Sequence, residues 1–415
     1  MSLNSVVIVG AGQGGYQVAA SLRQEGFTGQ ITLVGDEPGL PYQRPPLSKA
    51  YLLGKIGVAN LRLRQENWFA DQKVDLVHDQ VSTIDRANRH LTLASGRTLA
   101  YDHLVLATGA CNRTLTVPGA DLQGVIGIRT LADADALMPL IKDTKNAVVV
   151  GAGFIGLEFA AVAASLGASV HVLELADRPM ARALSQPMSQ FFREGHEGWG
   201  VKFDFGQGLT SIEGQDGRAT AVITSDGRSL PADLVVYGIG VLPNVELAAA
   251  AGLTIENGIR VDAQLLTEDP AISAIGDAVT FPCVQAGGAA LRLESVQNAV
   301  DQARNVAARL MGKPADYSAL PWFWSDQGDL KLQIVGLSQG HDRTVELPVP
   351  EPRQKTVLCF RGDTLLAVET ANRPADHMVA RKILARAPAL TPDVAAAPGF
   401  DLKAWEAASR VPAAT

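Results

Sequence analysis

Two short stretches of this chain combine residue types and spacing suited to holding a dinucleotide. In the first, Val6-Val7-Ile8-Val9 runs into Gly10-Ala11-Gly12-Gln13-Gly14-Gly15. In the second, Val148-Val149-Val150 runs into Gly151-Ala152-Gly153-Phe154-Ile155-Gly156. A strand-to-helix turn of this kind needs one glycine for the tight turn, a second where a pyrophosphate approaches the backbone, and a third where helix and strand pack closely. The helix that opens there presents unpaired N–H groups and the positive end of its dipole to phosphate. Roughly 20–25 residues further on, the dinucleotide pattern calls for an acid closing a second strand. Asp36 follows Ile31-Thr32-Leu33-Val34-Gly35, and Glu174 follows Val170-His171-Val172-Leu173. A carboxylate in that position accepts hydrogen bonds from ribose hydroxyls, and Glu174 would repel a 2′-phosphate. The second site is therefore expected to take NAD(H) rather than NADP(H), with Arg178 and Arg182 as the nearby cations that oppose this reading. Two complete units imply two dinucleotides, and electron transfer is the obvious reason to hold both.

The elements that must position these turns follow from periodicity. Tyr101-Asp102-His103-Leu104-Val105-Leu106-Ala107-Thr108-Gly109 reads as a buried strand ending in small residues, and Asp233-Leu234-Val235-Val236-Tyr237-Gly238-Ile239-Gly240 is its counterpart in the second unit. Segments near 74–77, 81–84 and 90–93 predict a small antiparallel sheet, with Ser95-Gly96 as a hairpin end. Segments near 202–205 and 219–224 predict strands inserted in the second unit. Pro41-Tyr42-Gln43-Arg44-Pro45-Pro46-Leu47-Ser48-Lys49 predicts a stiff loop leading into a helix at Ser48. After Ala271-Ile272-Ser273-Ala274-Ile275-Gly276, the carboxylate of Asp277 suits a polyol or ribityl hydroxyl. Ser295 is placed to cap a helix whose apolar positions are Val300, Ala303, Ala307 and Leu310. From Pro321 the texture changes to Trp322-Phe323-Trp324, then to strands near 332–335, 356–360 and 364–368, a hairpin turn at Arg361-Gly362-Asp363 and a helix from Pro374.

Bulk properties narrow the function classes. At 415 residues the chain has room for two or three domains, and its net charge of −7 argues against a general nucleic-acid binder. The 3 cysteines, Cys111, Cys283 and Cys359, are far apart in sequence. They form no C-x-x-C pair, so no redox dithiol, zinc knuckle or iron–sulfur ligand set is expected; all three read as buried free thiols. No metal site is expected. The apolar run from Ala147 to Leu173 carries one charged residue before its end, Glu158, but its glycine turn fits a buried strand–helix–strand unit better than a membrane span. No signal peptide precedes the strand at Val6, and a cytoplasmic protein is expected.

Several longer pieces carry a family resemblance: Pro45-Pro46-Leu47-Ser48-Lys49-Ala50-Tyr51-Leu52, Leu106-Ala107-Thr108-Gly109, Gly276-Asp277, Glu294-Ser295-Val296-Gln297-Asn298-Ala299 and Pro321-Trp322-Phe323-Trp324-Ser325-Asp326-Gln327. Over nearly its full length the chain resembles the FAD-containing, NADH-dependent ferredoxin reductases of the putidaredoxin reductase type, within the glutathione reductase-type flavoprotein superfamily. The resemblance implies electron transfer from NADH through FAD to a 2Fe–2S ferredoxin, which serves an oxygenase, in the first instance a haem mono-oxygenase. It implies an α/β fold of two Rossmann-like, three-layer dinucleotide-binding domains plus a C-terminal α+β domain. The expected boundaries are 1–115 with 245–320 for FAD, 116–244 for NAD, and 321–415 for the C-terminal domain.

Carried over by position, Gly10, Gly12, Gly14 and Gly15 would meet the FAD pyrophosphate, Asp36 the adenosine ribose and Val81 the adenine. Arg44, Ala107, Thr108, Gly109 and Arg129 would lie along the cofactor. Asp277 would bind its ribityl–pyrophosphate region, and the Val296 N–H its pyrimidine edge. Lys49 would sit beside the flavin, paired with Glu158 in the first turn of the NAD helix, and Trp324 would approach the ring system. Gly151, Gly153, Phe154, Ile155, Gly156, Glu174 and Gly240 would hold NADH. The resemblance makes Lys49, Glu158 and Trp324 the catalytic set. Hydride transfer requires positioning rather than a general acid, and no catalytic histidine is assigned. The plainer readings stay open here: Lys49 as a surface lysine capping a loop, Trp324 as a core aromatic, Glu158 as a satisfied helix-terminus carboxylate. The cysteine pair of the superfamily's disulfide reductases is missing, as is the single cysteine of its peroxidases. Rubredoxin reductase, NADH oxidase and an NADH-sensing flavoprotein resembling apoptosis-inducing factor are the alternatives. A monomer is expected, docking an acidic ferredoxin through basic residues among Arg62, Arg64, Arg309, Lys313, Arg381 and Lys382.

Overall fold

The computed structural model describes residues 3–386 and 389–410. The chain divides into two compact units. One is built from Met1–Gln43, Gly57–Cys111 and Val241–Pro321, the other from Arg44–Ile56, Asn112–Gly240 and Trp322–Thr415.

The first unit is organised by a five-stranded parallel sheet in the order Ile272–Ala274, His103–Leu106, Ser5–Val9, Gln30–Gly35, Val74–His78. Val6 and Ile8 are fully buried, as are Leu104, Val105 and Leu106 beside them. Such continuous apolar strands are what a parallel sheet covered on both faces requires. The glycine turn leaves the central strand and opens helix Gln13–Gln24. Helix Val296–Leu310, whose Ala299, Ala303, Val306 and Ala307 are buried, packs against it. As expected, Ser295 is its N-cap: the Ser295 Oγ accepts the Asn298 N–H at 3.0 Å.

The second unit repeats this plan. Its parallel sheet runs Lys202–Phe205, Ser169–Glu174, Asn146–Val150, Leu234–Tyr237, Val125–Gly127. In both sheets the strand entering the glycine turn lies between the acid-bearing strand and the strand that ends in small residues. Helix Phe154–Ser165 lies against this sheet, and an antiparallel sheet of Leu209–Gln215, Arg218–Thr224 and Ser229–Pro231 packs on it through Ile212, Ala219 and Val222. The apolar run is thus a strand, a 12-residue helix and a strand. Among the described residues no helix is long and apolar enough to cross a membrane. The same unit carries an antiparallel sheet in the order Trp322–Gln327, Leu330–Gly336, Thr364–Ala371, Lys355–Arg361, Arg343–Glu346, against which helix Pro374–Arg386 packs. The hairpin turns at Ser95-Gly96 and Arg361-Gly362-Asp363 form as expected.

Three local expectations are corrected. Val74–His78 joins the edge of the first parallel sheet, and the antiparallel sheet is instead Val81–Asp85, His90–Leu93 and Thr98–Ala100. Lys202–Phe205 likewise extends the second parallel sheet rather than forming part of an insertion. Short alternating strands look alike in both settings, because period-2 patterning reports one buried face and not the direction of the partner. No helix starts at Ser48: Pro45–Ser48 is a single 3₁₀ turn, where the adjacent prolines fit the first positions but no amphipathic run follows.

Candidate functional site

In the first unit the glycine turn separates packing from ligand approach. Gly10 has φ +109°, and a Cβ there would lie 2.2 Å from the Ala107 oxygen. At Gly15 a Cβ would lie 1.9 Å from the Gly10 oxygen, so this position seats the helix on the strand. Gly14 faces Ile275 Cδ1 at 3.3 Å and Ala299 Cβ at 3.7 Å, and its lack of a side chain lets helix Val296–Leu310 come close. At Gly12, by contrast, a Cβ would meet nothing within 4 Å. The open position is the one at which a pyrophosphate approaches the backbone. Around it, the Gly276 N–H donates to Gln302 Oε1 at 2.7 Å, which ties the turn carrying Asp277 to helix Val296–Leu310. The Thr108 Oγ1 donates to the Asn244 oxygen at 2.7 Å and Asn244 Nδ2 returns a bond to the Thr108 oxygen at 2.8 Å, fixing the turn of Ala107, Thr108 and Gly109. Asp36 is exposed at the end of its strand, Val81 is buried, and Val296 is the first residue of its helix. A turn with an open glycine and a helix N-terminus, with Asp36 closing the next strand and Asp277 on the turn tied to Gln302, fits FAD.

The second turn has the same division. A Cβ at Gly156 would fall 2.2 Å from the Gly151 oxygen, whereas at Gly153 the nearest atom would be the Gly238 oxygen at 3.7 Å. The Glu174 carboxylate accepts Ala152 N–H at 2.7 Å and Ala176 N–H at 2.8 Å. Arg178 donates to the Ala181 oxygen at 3.0 Å and the Leu184 oxygen at 3.2 Å, so its guanidinium is engaged in holding its own loop. Arg182 is exposed, with Nη2 3.9 Å from where a Cβ at Gly240 would lie. This half fits NADH: an acid closes the strand beside the turn, and Arg178 is committed to its own loop. Phe154 packs its ring on Phe323, centroids 4.5 Å apart, while Ile155 follows it in the first turn of the helix.

The stretch Arg44–Ile56 belongs to the second unit although both of its flanks belong to the first. Its ties are specific. Arg44 Nη1 donates to the Arg129 oxygen at 2.8 Å, the Tyr51 hydroxyl donates to Asp135 Oδ1 at 2.5 Å, and Lys49 Nζ meets Glu158 Oε1 at 2.9 Å. Glu158 lies past the first turn of helix Phe154–Ser165, not in it, and is buried rather than a surface carboxylate near the helix end. Burial pushes its carboxyl group up, opposed by Lys49 and by the hydroxyls of Ser48 and Ser325, which donate at 2.5 and 2.7 Å. The resemblance implies the Lys49–Glu158 pair; neither serine hydroxyl follows from it. Strand alternation puts Phe323, Ser325 and Gln327 on one face and Trp322 and Trp324 on the other, but does not name Glu158 as the partner of Ser325. The two tryptophan rings are 5.4 Å apart, and Trp322 is covered by Arg381, 4.8 Å from the ring centroid.

The cysteine expectation is partly corrected. All three thiols are free and Cys283 and Cys359 are buried, but Cys111 is exposed. Of the basic residues, Arg309 is partly buried and donates to Ser273 Oγ at 2.5 Å, and Lys313 pairs with Glu25 at 2.7 Å. Arg62, Arg64 and Lys382 are exposed.

The comparisons with known proteins agree with this geometry. Residues 4–303 match the family described as pyridine nucleotide-disulphide oxidoreductase, and residues 322–405 match the reductase C-terminal family. Rhodocoxin reductase of Rhodococcus erythropolis is 50% identical over 400 residues, covering 96% of this chain and 93% of that protein. The crystal structure of the ferredoxin reductase for the CYP199A2 system from Rhodopseudomonas palustris superposes with a TM-score of 0.95 at 51% identity, covering 97% of this chain and 100% of that one. The reductase in the crystal structure of the covalent putidaredoxin reductase–putidaredoxin complex gives a TM-score of 0.95 at 39% identity, covering 99% of this chain and 100% of that one.

Proposed function

The chain belongs to the pyridine nucleotide-disulphide oxidoreductases and, within them, to the putidaredoxin reductase-like ferredoxin reductases that use FAD and NADH; on that premise we propose that it reduces a 2Fe–2S ferredoxin serving an oxygenase, in the first instance a haem mono-oxygenase. The observation that carries the chemical reading is the pair of glycine cradles, each open at its middle glycine and closed at the others. FAD, when bound, accepts a hydride from NADH and releases electrons one at a time. The chain's residues position and polarise. The glycine turns at residues 10–15 and 151–156 receive the two pyrophosphates at their open glycines, Gly12 and Gly153, Asp36 and Glu174 take the ribose hydroxyls, and the N–H at Val296 presents a helix N-terminus to the pyrimidine edge. Lys49, held by Glu158, would supply positive charge beside the flavin, and Trp324 would approach it. No cysteine pair stands ready to take electrons as a dithiol, which favours a one-electron acceptor.

The same reading makes the protein a cytoplasmic monomer, with FAD bound by residues 1–115 and 245–320, NADH by 116–244, and a C-terminal module at 321–415. The separate hydrogen-bonded sheet from Trp322 to Ala371 supports the last boundary. Ferredoxin docking is assigned to Arg62, Arg64, Arg381 and Lys382. Anaerobic stopped-flow mixing with NADH, then with an oxidised 2Fe–2S ferredoxin, tests the whole relay. Fast, NADH-selective bleaching followed by rapid, strongly salt-dependent ferredoxin reduction is expected, with little salt effect on ferricyanide reduction. Transfer to rubredoxin but to no ferredoxin would replace the acceptor. Slow bleaching with a persistent flavin–nicotinamide complex would favour the sensor reading.

A further inference from the structure

Behind Glu158 lies an unbroken line of uncharged polar groups. Ser325 Oγ donates to Glu158 Oε1 at 2.7 Å and accepts from Gln327 Nε2 at 3.2 Å. Gln327 Oε1 in turn lies 2.8 Å from His196 Nε2. Ser325, Gln327 and His196 are all 0% exposed. A carbonyl-type oxygen only accepts, so the imidazole must carry its proton on Nε2. Its Nδ1 is buried with no hydrogen-bond partner, and burial lowers the ring's pKa to about 4, which keeps it neutral. With the Gln327 amide oxygen fixed toward His196, its NH₂ faces Ser325 Oγ and also Met180 Sδ at 3.5 Å. The Ser325 proton is then left to point at Glu158.

We propose that Ser325, Gln327 and His196 are positioning residues that hold Glu158 as a carboxylate aimed at Lys49. They work through oriented dipoles and add no charge. A cation in place of Ser325 would compete with Lys49 for Glu158; a hydroxyl stabilises the carboxylate and leaves its attraction for the ammonium undivided. Lys49 is the charged group that acts on Glu158, and Ser48 and Ser325 are its other donors. Around His196 the charged neighbour is Arg353, and the rings of Trp199 and Phe203 pack on it with centroids 4.8 and 6.1 Å away. The inference deepens the reading that Lys49 serves the flavin and rests on it.

The test uses FAD-loaded protein and infrared titration of the protonated carboxyl band that disappears in E158Q. Losing a donor to a charged acceptor should move that titration upward by about one to two pH units in S325A. The shift should be smaller in Q327L and smaller again in H196N, and S325T should titrate as the parent does. NADH-driven bleaching should acquire an acid limb at the same shifted pH. Should S325A fail to fold, Q327L and H196N carry the graded comparison. An unmoved Glu158 band in the folded variants overturns the proposal. Failure of the underlying reading looks different: K49M would then bleach with NADH as the parent does, while the infrared shifts persisted.

Discussion

The Glu174 carboxylate accepts the Ala152 N–H at 2.7 Å, so the acid at the end of one strand holds the middle of the glycine turn that leaves the neighbouring strand. Its other oxygen takes the Ala176 N–H at 2.8 Å. Each oxygen keeps a further lone pair for a ribose hydroxyl. One residue therefore shapes the turn and, on the proposed function, also stands to set coenzyme preference. E174A should lower kcat/KM for NADH by about tenfold or more, the scale of a lost hydrogen bond to a charged group, while NADPH is spared or gains. An NADH-to-NADPH ratio unchanged in E174A would remove Glu174 from the specificity determinants.

What was legible in the sequence is what local chemistry dictates. The glycine spacing, the acids that follow and the Ser295 cap are demands made within one turn or one strand–helix–strand unit, and the structure shows the corresponding turns, strands and cap. What was illegible depends on partners far along the chain. Ser325 finds Glu158 across 167 positions, and Ser48 finds it across 110. Nothing near a serine in sequence announces a buried carboxylate on another element. Val74–His78 failed for a related reason: its alternation fits either a parallel edge or a hairpin, and pairing with Gln30–Gly35 settles it. The exposure of Cys111 is equally non-local, since two of three cysteines obey the burial preference of their type.

The glycine turn of the first unit offers a clean separation between folding and ligand binding. Gly12 has φ −81°, which any residue adopts, and a Cβ there meets nothing within 4 Å. G12V should fold with a melting temperature close to the parent's but lose bound FAD on gel filtration. G10A forces a Cβ to 2.2 Å from the Ala107 oxygen at φ +109° and should destabilise the protein itself, by about 1–3 kcal/mol. Visible absorbance of purified protein together with thermal melting of the FAD-free form reads both. Full FAD retention in G12V would mean that the pyrophosphate does not approach this turn.

Three buried histidines predict how stability depends on pH. Burial lowers His103 to about 3, and His196 and His377 to about 4. Between those values and the unfolded pKa of ~6.5, the unfolded chain binds protons that the folded chain refuses. Their contribution is complete above pH ~6.5 and falls as pH drops, by about 1.4 kcal/mol per pH unit for each histidine. Glu158 and Glu369, whose carboxyl groups burial pushes up, act in the opposite sense, so absolute slopes mix the two effects. The difference between parent and H377Q isolates one histidine. His377 is 1% exposed and neither of its ring nitrogens has a hydrogen-bond partner, so glutamine there breaks no existing hydrogen bond. Denaturant unfolding from pH 7.5 to 5 should show the parent losing stability relative to H377Q by about 1.4 kcal/mol per pH unit once below ~6.5. Parallel curves for the two proteins would mean that His377 takes up its proton as readily in the folded state as in the unfolded one.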